Sequence, residues 1–183
     1  NPEIAVAGTY STKFTSAKQT IQTSNAPSKP STIKKILQYR NTLVHGSVMM
    51  RQICLEKVGY YREFFRYSQD YDLWLRMLRS YDLAVLPEFL YEYRITKNMV
   101  SVSKAALQQK YADIALSLHK EFLATGKDSY SSLVKQYPNG LDNSSQAINV
   151  SDYHLLIAKE LLAAGQKSKA REEIRKAYKL GGL

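Results

Sequence analysis

Cysteine is nearly absent from these 183 residues: Cys54 stands alone. An internal disulfide and any cysteine-based zinc cluster are excluded, and the composition suits a reducing cytoplasm. Long apolar runs are missing too. No stretch approaches the roughly 18 to 20 residues that a spanning helix needs, and the opening NPEIAVAGTY has neither the basic start nor the apolar core of a signal peptide. There is no initiator methionine, which leads to the expectation of a fragment. Acidic residues are scarce. Lys and Arg number 26 against 16 Asp and Glu, a net charge of +10, which favours anionic partners such as nucleotide diphosphates, nucleic acid or an acidic lipid surface. No run of five like charges occurs, so a generally basic surface is the plainer reading over a nucleic-acid stripe. No Gly-x-Gly-x-x-Gly, phosphate loop or Ser-His-Asp context is found.

Alternation in EIAVAGTYSTKF predicts a strand, with QTIQTS returning beside it as a hairpin around Ser16, Ala17 and Lys18. Pro30-Ser31-Thr32 opens a short helix with Ile33, Ile36 and Leu37 on one face. SVMMR reads as a short buried strand, and RQICLEKVG as a helix stopped by Gly59. From Asp70 to about Ser80, Leu73, Trp74, Met77 and Leu78 fall at helical spacing, which turns Arg76 and Arg79 outward. DLAVLPEFLYEYR supplies one or two strands broken at Pro87, and a long helix follows from about Lys104 to Leu123. This alternation predicts an α/β class for the first hundred or so residues. The Ser-, Asn-, Asp- and Gly-rich stretch after Gly126 reads as a linker. Residues 151–183 form two helical patterns about Gly165, and Ala158, Gly165, Ala170 and Ala177 give them the small-residue spacing of one tetratricopeptide-like unit. A lone unit cannot bury its own face, so it is expected to dock on the preceding domain.

RYSQDYDLWLR sets two carboxylates, Asp70 and Asp72, one residue apart. Such a pair can hold Mg²⁺ or Mn²⁺, yet acids in a first helical turn are also favoured by the helix dipole, with Ser68 a reasonable N-cap. Trp74 at helical spacing is core more often than a ligand-stacking platform. His119 and His154 lack acids or cysteine at ligand spacing, so neither marks a metal.

The order NTLVHGSVMMR, Gly59-Tyr60, SQDYDLWLRM, LPEFLYEYR resembles the C-terminal half of family 2 glycosyltransferases of the GT-A fold, and the opening NPEIAVAGT resembles the strand after their nucleotide-binding half. The resemblance spans residues 1–105, with residues 106–150 a helix and linker and residues 151–183 the helical hairpin. It implies an incomplete GT-A-like domain that begins after the family's metal-binding Asp-x-Asp, so the Mg²⁺ or Mn²⁺ of the intact enzyme would have no ligands here. By the same resemblance Asp70 is the general base and Asp72 supports the structure. His45, Gly46, Gln69 and Arg94 line the substrate pocket. Gln69 stands where many relatives have glutamate, and Thr96 where many have histidine. No Gln-x-x-Arg-Trp follows Asp70, so a non-processive, inverting transferase is implied. Its donor is a nucleotide sugar and its acceptor a glycan or lipid-linked glycan, in surface polysaccharide or glycan synthesis. The setting is cytoplasmic or peripheral to a membrane, with no nucleic-acid partner. The rival expectation is a non-catalytic scaffold that uses the C-terminal hairpin.

Overall fold

The computed structural model describes residues 1–15, 19–23, 27–141 and 150–181. Its centre is β1 (Ile4–Thr15), whose two edges are both paired. Along one edge run β2 (Thr20–Thr23) and β3 (Met49–Met50), both antiparallel; along the other lies β4 (Asp82–Ile95), parallel over its length. The class is mixed α/β. The expected hairpin partner forms, with Ser11 opposite Thr23 and Phe14 opposite Thr20, while Ser16, Ala17 and Lys18 lie outside the described residues. β4 is one strand. Pro87 has no N–H to give the ladder, and the register steps from Thr9↔Leu86 to Tyr10↔Phe89 there, looping out Pro87 and Glu88 without ending the strand.

SVMMR differs from expectation: only Met49 and Met50 pair with β1, and Met49 is 80% exposed. The helices before β4 are α1 (Pro30–Leu37), α2 (Gln52–Val58) and α3 (Gln69–Met77). Gly59 ends α2 with a φ of 76°, in the left-handed region that a side chain would disfavour. Every residue of α3 from Tyr71 to Met77 is buried, so it is a central helix rather than an amphipathic one. That overturns the outward placement of Arg76 and Arg79. Arg76 is 4% exposed and Arg79 is also buried in part, and both are held by acids. Trp74, fully buried, belongs to the core.

Beyond β4 come the short α4 (Val100–Ser103), the long α5 (Ala105–Thr125) and α6 (Tyr130–Gln136). α6 contradicts a linker over 126–141. Tyr130, Leu133 and Leu141 pack on the main core, and Asp128 accepts from Arg62 at 3.0 Å and Arg79 at 2.8 Å. The polar composition hid an anchored helix because its apolar contacts are few and its fixed point is a carboxylate. Residues 142–149 of the expected linker are outside the described set.

α7 (Val150–Ala163) and α8 (Lys167–Gly181) form the hairpin. Ala158, Ala170 and Ala177 are buried, and Gly165 turns the chain at a φ of 73°. The hairpin does not stand alone: Tyr153, Ile157, Leu161 and Ala170 share a second core with Ile21 of β2, Ile95 of β4 and Val102 of α4. Lys13 of β1 adds an ion pair to Glu160 of α7 at 2.6 Å. Among the described residues no helix is long and apolar enough to cross a membrane.

Candidate functional site

Asp70 sits in the first turn of α3, where the helix dipole favours a negative charge. Ser68 precedes the helix as expected, but its hydroxyl does not cap it; Ser68 Oγ donates instead to the Gln108 carbonyl of α5 at 2.9 Å. One Asp70 oxygen accepts from the Tyr71 amide at 2.8 Å, the other from Asn41 Nδ2 at 2.9 Å. Each carboxylate oxygen retains room for a further donor. Burial raises the Asp70 pKa above the usual carboxylate value, against the opposing pull of the Tyr71 amide, His45 and Asn41.

Asp72 points elsewhere. Its oxygens accept from Arg76 Nε at 2.9 Å and Arg62 at 3.4 Å, and its side chain is 3% exposed. Arg76 then donates to three successive carbonyls at the end of α2: Val58 at 2.7 Å, Gly59, and Tyr60 at 2.7 Å. Asp72 therefore fastens the 58–60 turn through Arg76, while Asp70 is the member of the pair left facing a cavity. The two carboxylates share no partner. No cluster of three or more His, Cys, Asp or Glu able to hold a metal occurs among the described residues.

The cavity is a cleft of about 580 Å³. Asp70, His45 and Gly46 line it together, with Asn41 from the loop after α1, Tyr93 and Ile95 from β4, and Lys159 and Glu160 from α7. His45 Nε2 lies 2.8 Å from Tyr61 Oη, and its ring packs edge-on against Trp74 with centroids 6.0 Å apart. Tyr61 has its phenol pKa raised by burial and by the charge on Asp70. Gly46 faces a side chain instead of open space: a Cβ there would stand 2.1 Å from Tyr91 Oη. Its lack of a side chain admits that ring.

Two expected residues are not in this cleft. Gln69 opens α3 but does not line the cavity. Arg94 alternates with Tyr93 and Ile95, so it lies on the opposite face of the sheet, its guanidinium 5.3 Å from the Phe14 ring centroid. Thr96, after the strand end, is not among the lining residues either. His154 does have an acid after all, Glu173 at 2.7 Å, brought by α8 from 19 positions away.

Asn41, Lys13, Lys159 and Glu160, which line the cleft, and Tyr61, which holds His45, are residues that sequence reasoning passed over. Asn41 was readable, since it opens the NTLVHGS motif. Glu160 meets Lys13 from 147 positions away, and no local pattern signals that.

No known family model matches the chain, and no solved structure matches it. Over 88 residues it is 34% identical to a protein of Methanocaldococcus jannaschii described as an uncharacterized glycosyltransferase. The alignment covers 48% of this chain and 30% of that protein, so the chain spans less than a third of its relative's length.

Proposed function

We propose that the chain is the acceptor-side part of an inverting, non-processive glycosyltransferase of family 2 and GT-A type. It would move a sugar from a nucleotide-sugar donor to an acceptor hydroxyl in surface polysaccharide or glycan synthesis, with Asp70 as the general base. The observation that carries this reading is the contrast within the Asp-Tyr-Asp pair: Asp72 is consumed by Arg62 and Arg76, while Asp70 faces a cleft. The relative described as a glycosyltransferase supports the reaction class.

The chemistry needs such a group. A sugar hydroxyl is a weak nucleophile. As its oxygen bonds to the anomeric carbon, its proton passes to the Asp70 carboxylate while the bond from that carbon to the diphosphate breaks. One such displacement inverts the anomeric centre. Asn41 and the Tyr71 amide fix the carboxylate's orientation, and burial raises its basicity. His45 lines the same cleft and is held by Tyr61. The family resemblance implies that the ligands of Mg²⁺ or Mn²⁺ and the nucleotide-binding half of the donor site are not among these residues, so the 183 residues alone are expected to show no transfer.

The scaffold reading is less favoured, because the hairpin's apolar face of Tyr153, Ile157 and Leu161 is spent on this chain's own sheet. The test is a pH profile of kcat/KM for the full-length protein. An acidic limb with an apparent pKa above the ordinary aspartate value of about 3.9, absent from whatever activity remains in Asp70→Asn, supports the base. A profile that is flat through the acid range contradicts it.

A further inference from the structure

A second cavity, about 280 Å³, adjoins the Asp70 cleft and shares Lys13, Arg40, Asn41, Lys159 and Glu160 with it. Its charged lining is three cations, Lys13, Arg40 and Lys159, against one anion, Glu160. Glu160 is already taken by Lys13 at 2.6 Å, with both side chains mostly buried. Arg40 and Lys159 are exposed and have no ion-pair partner among the described residues. Asn41 connects the two spaces, since it lines both and donates to Asp70. The neighbouring cleft adds Asp70 and Asp113 to the same three cations and Glu160, so the excess of cations belongs to the smaller cavity.

We infer that Arg40 and Lys159 form a subsite for a phosphate or diphosphate group on a substrate, and that the C-terminal hairpin, through Lys159, is a specificity element of the site. Two unpaired cations beside polar loop groups recognise a multiply charged oxyanion. Arg40 precedes Asn41, which donates to Asp70, and Arg40, Lys159 and Asp70 line one cleft, so a phosphorylated ligand held by the two cations would be positioned against the base. Only the identity of the ligand as a transferase substrate rests on the proposed function. The phosphate can arrive on the acceptor or on the nucleotide donor.

The experiment is calorimetric titration of the 183-residue chain with inorganic pyrophosphate at low ionic strength. Wild type is expected to bind, and the Arg40→Ala/Lys159→Ala double variant to bind about 25-fold more weakly, roughly fivefold per charge for contacts near 4 Å in water. Both side chains are exposed, so these truncations leave the core intact. Lys57→Ala, on α2, removes one charge elsewhere and should change nothing. Undetectable binding by wild type, equal binding by the double variant, or equal weakening by Lys57→Ala each overturns the subsite. Displacement of pyrophosphate by a sugar 1-phosphate but not by uridine diphosphate assigns the site to the acceptor; the reverse assigns it to the donor. Asp70→Asn should retain pyrophosphate binding, so failure of the subsite and failure of Asp70 as base are separable. In the full-length protein Lys159→Ala should raise the KM of the phosphorylated substrate and spare kcat.

Discussion

Replacing Arg76 by methionine, which keeps the length of the side chain and removes its donors, should be among the most damaging single changes in the chain. The side chain is 4% exposed and reaches Asp72 at 2.9 Å, the carbonyls of Val58 and Tyr60 at 2.7 Å each, and that of Gly59. Without it Asp72 keeps only Arg62 at 3.4 Å, and three carbonyls lose a charged donor. Removing one partner of a buried ion pair typically costs about 3–5 kcal/mol. For a chain of this size each kcal/mol moves the melting temperature by roughly 2–4 °C, so a fall of about 10 °C is expected, read by circular dichroism or urea titration. Asp72→Leu in the Arg76→Met background should recover part of the loss, because it removes the stranded carboxylate. The 58–60 turn leads directly into Tyr61, so the Tyr61 contact with His45 should loosen as well, visible as a shift of the His45 ring signals by NMR. A loss below about 1 kcal/mol would refute the assignment of Asp72 and Arg76 as the structural clamp of the site.

Gly46→Ala should destabilise by about 1–3 kcal/mol, the usual cost of overpacking, because Tyr91 must move away from the new methyl group. Tyr91→Ala should absorb most of that loss, whereas additive urea midpoints would show that Gly46 serves something other than the Tyr91 ring. Burial works against charge on Asp128, but hydrogen bonds from Arg79 and Arg62 outweigh it and hold its carboxyl below the usual value; His154 and Lys176 do the same for Glu173. A lowered folded pKa contributes stability that is complete above the unfolded value, near 4, and is lost as pH falls through the folded value. The urea midpoint should therefore drop below pH 4, and Asp128→Asn should shrink that drop. Asp70 has the opposite sign. Its raised folded pKa costs stability as pH rises past the unfolded value, so Asp70→Asn should be as stable as wild type or more so at pH 7, with the difference vanishing near pH 3.

Local pattern carried the strands, the helix starts and the hairpin around Gly165, because each depends on neighbours within a few positions. Where the fold departs from that reading, the cause is distant. Arg76 sits on the polar side of a helical wheel, but α3 is covered all round, and the carbonyls that need its guanidinium belong to α2. α6 looked like linker because the charge that fixes it is shared among Asp128, Arg62 and Arg79, 66 and 49 positions apart. At the site, Asp70, His45 and Gly46 do meet in one cleft, but Arg94 does not join them, since strand alternation turns it to the other face. Periodicity states which residues share a face without stating which face meets the cavity. The contribution of α7 is set by tertiary docking, and nothing in the first hundred residues announces it.

The central claim is that Asp70 takes the acceptor's proton. Its most direct measurement is sugar transfer by the full-length protein carrying Asp70→Asn, run beside equilibrium binding of the nucleotide-sugar donor. The account predicts a fall in kcat of about 10²- to 10⁴-fold, the usual worth of a general base, with donor affinity unchanged; turnover within a few-fold of wild type would contradict it.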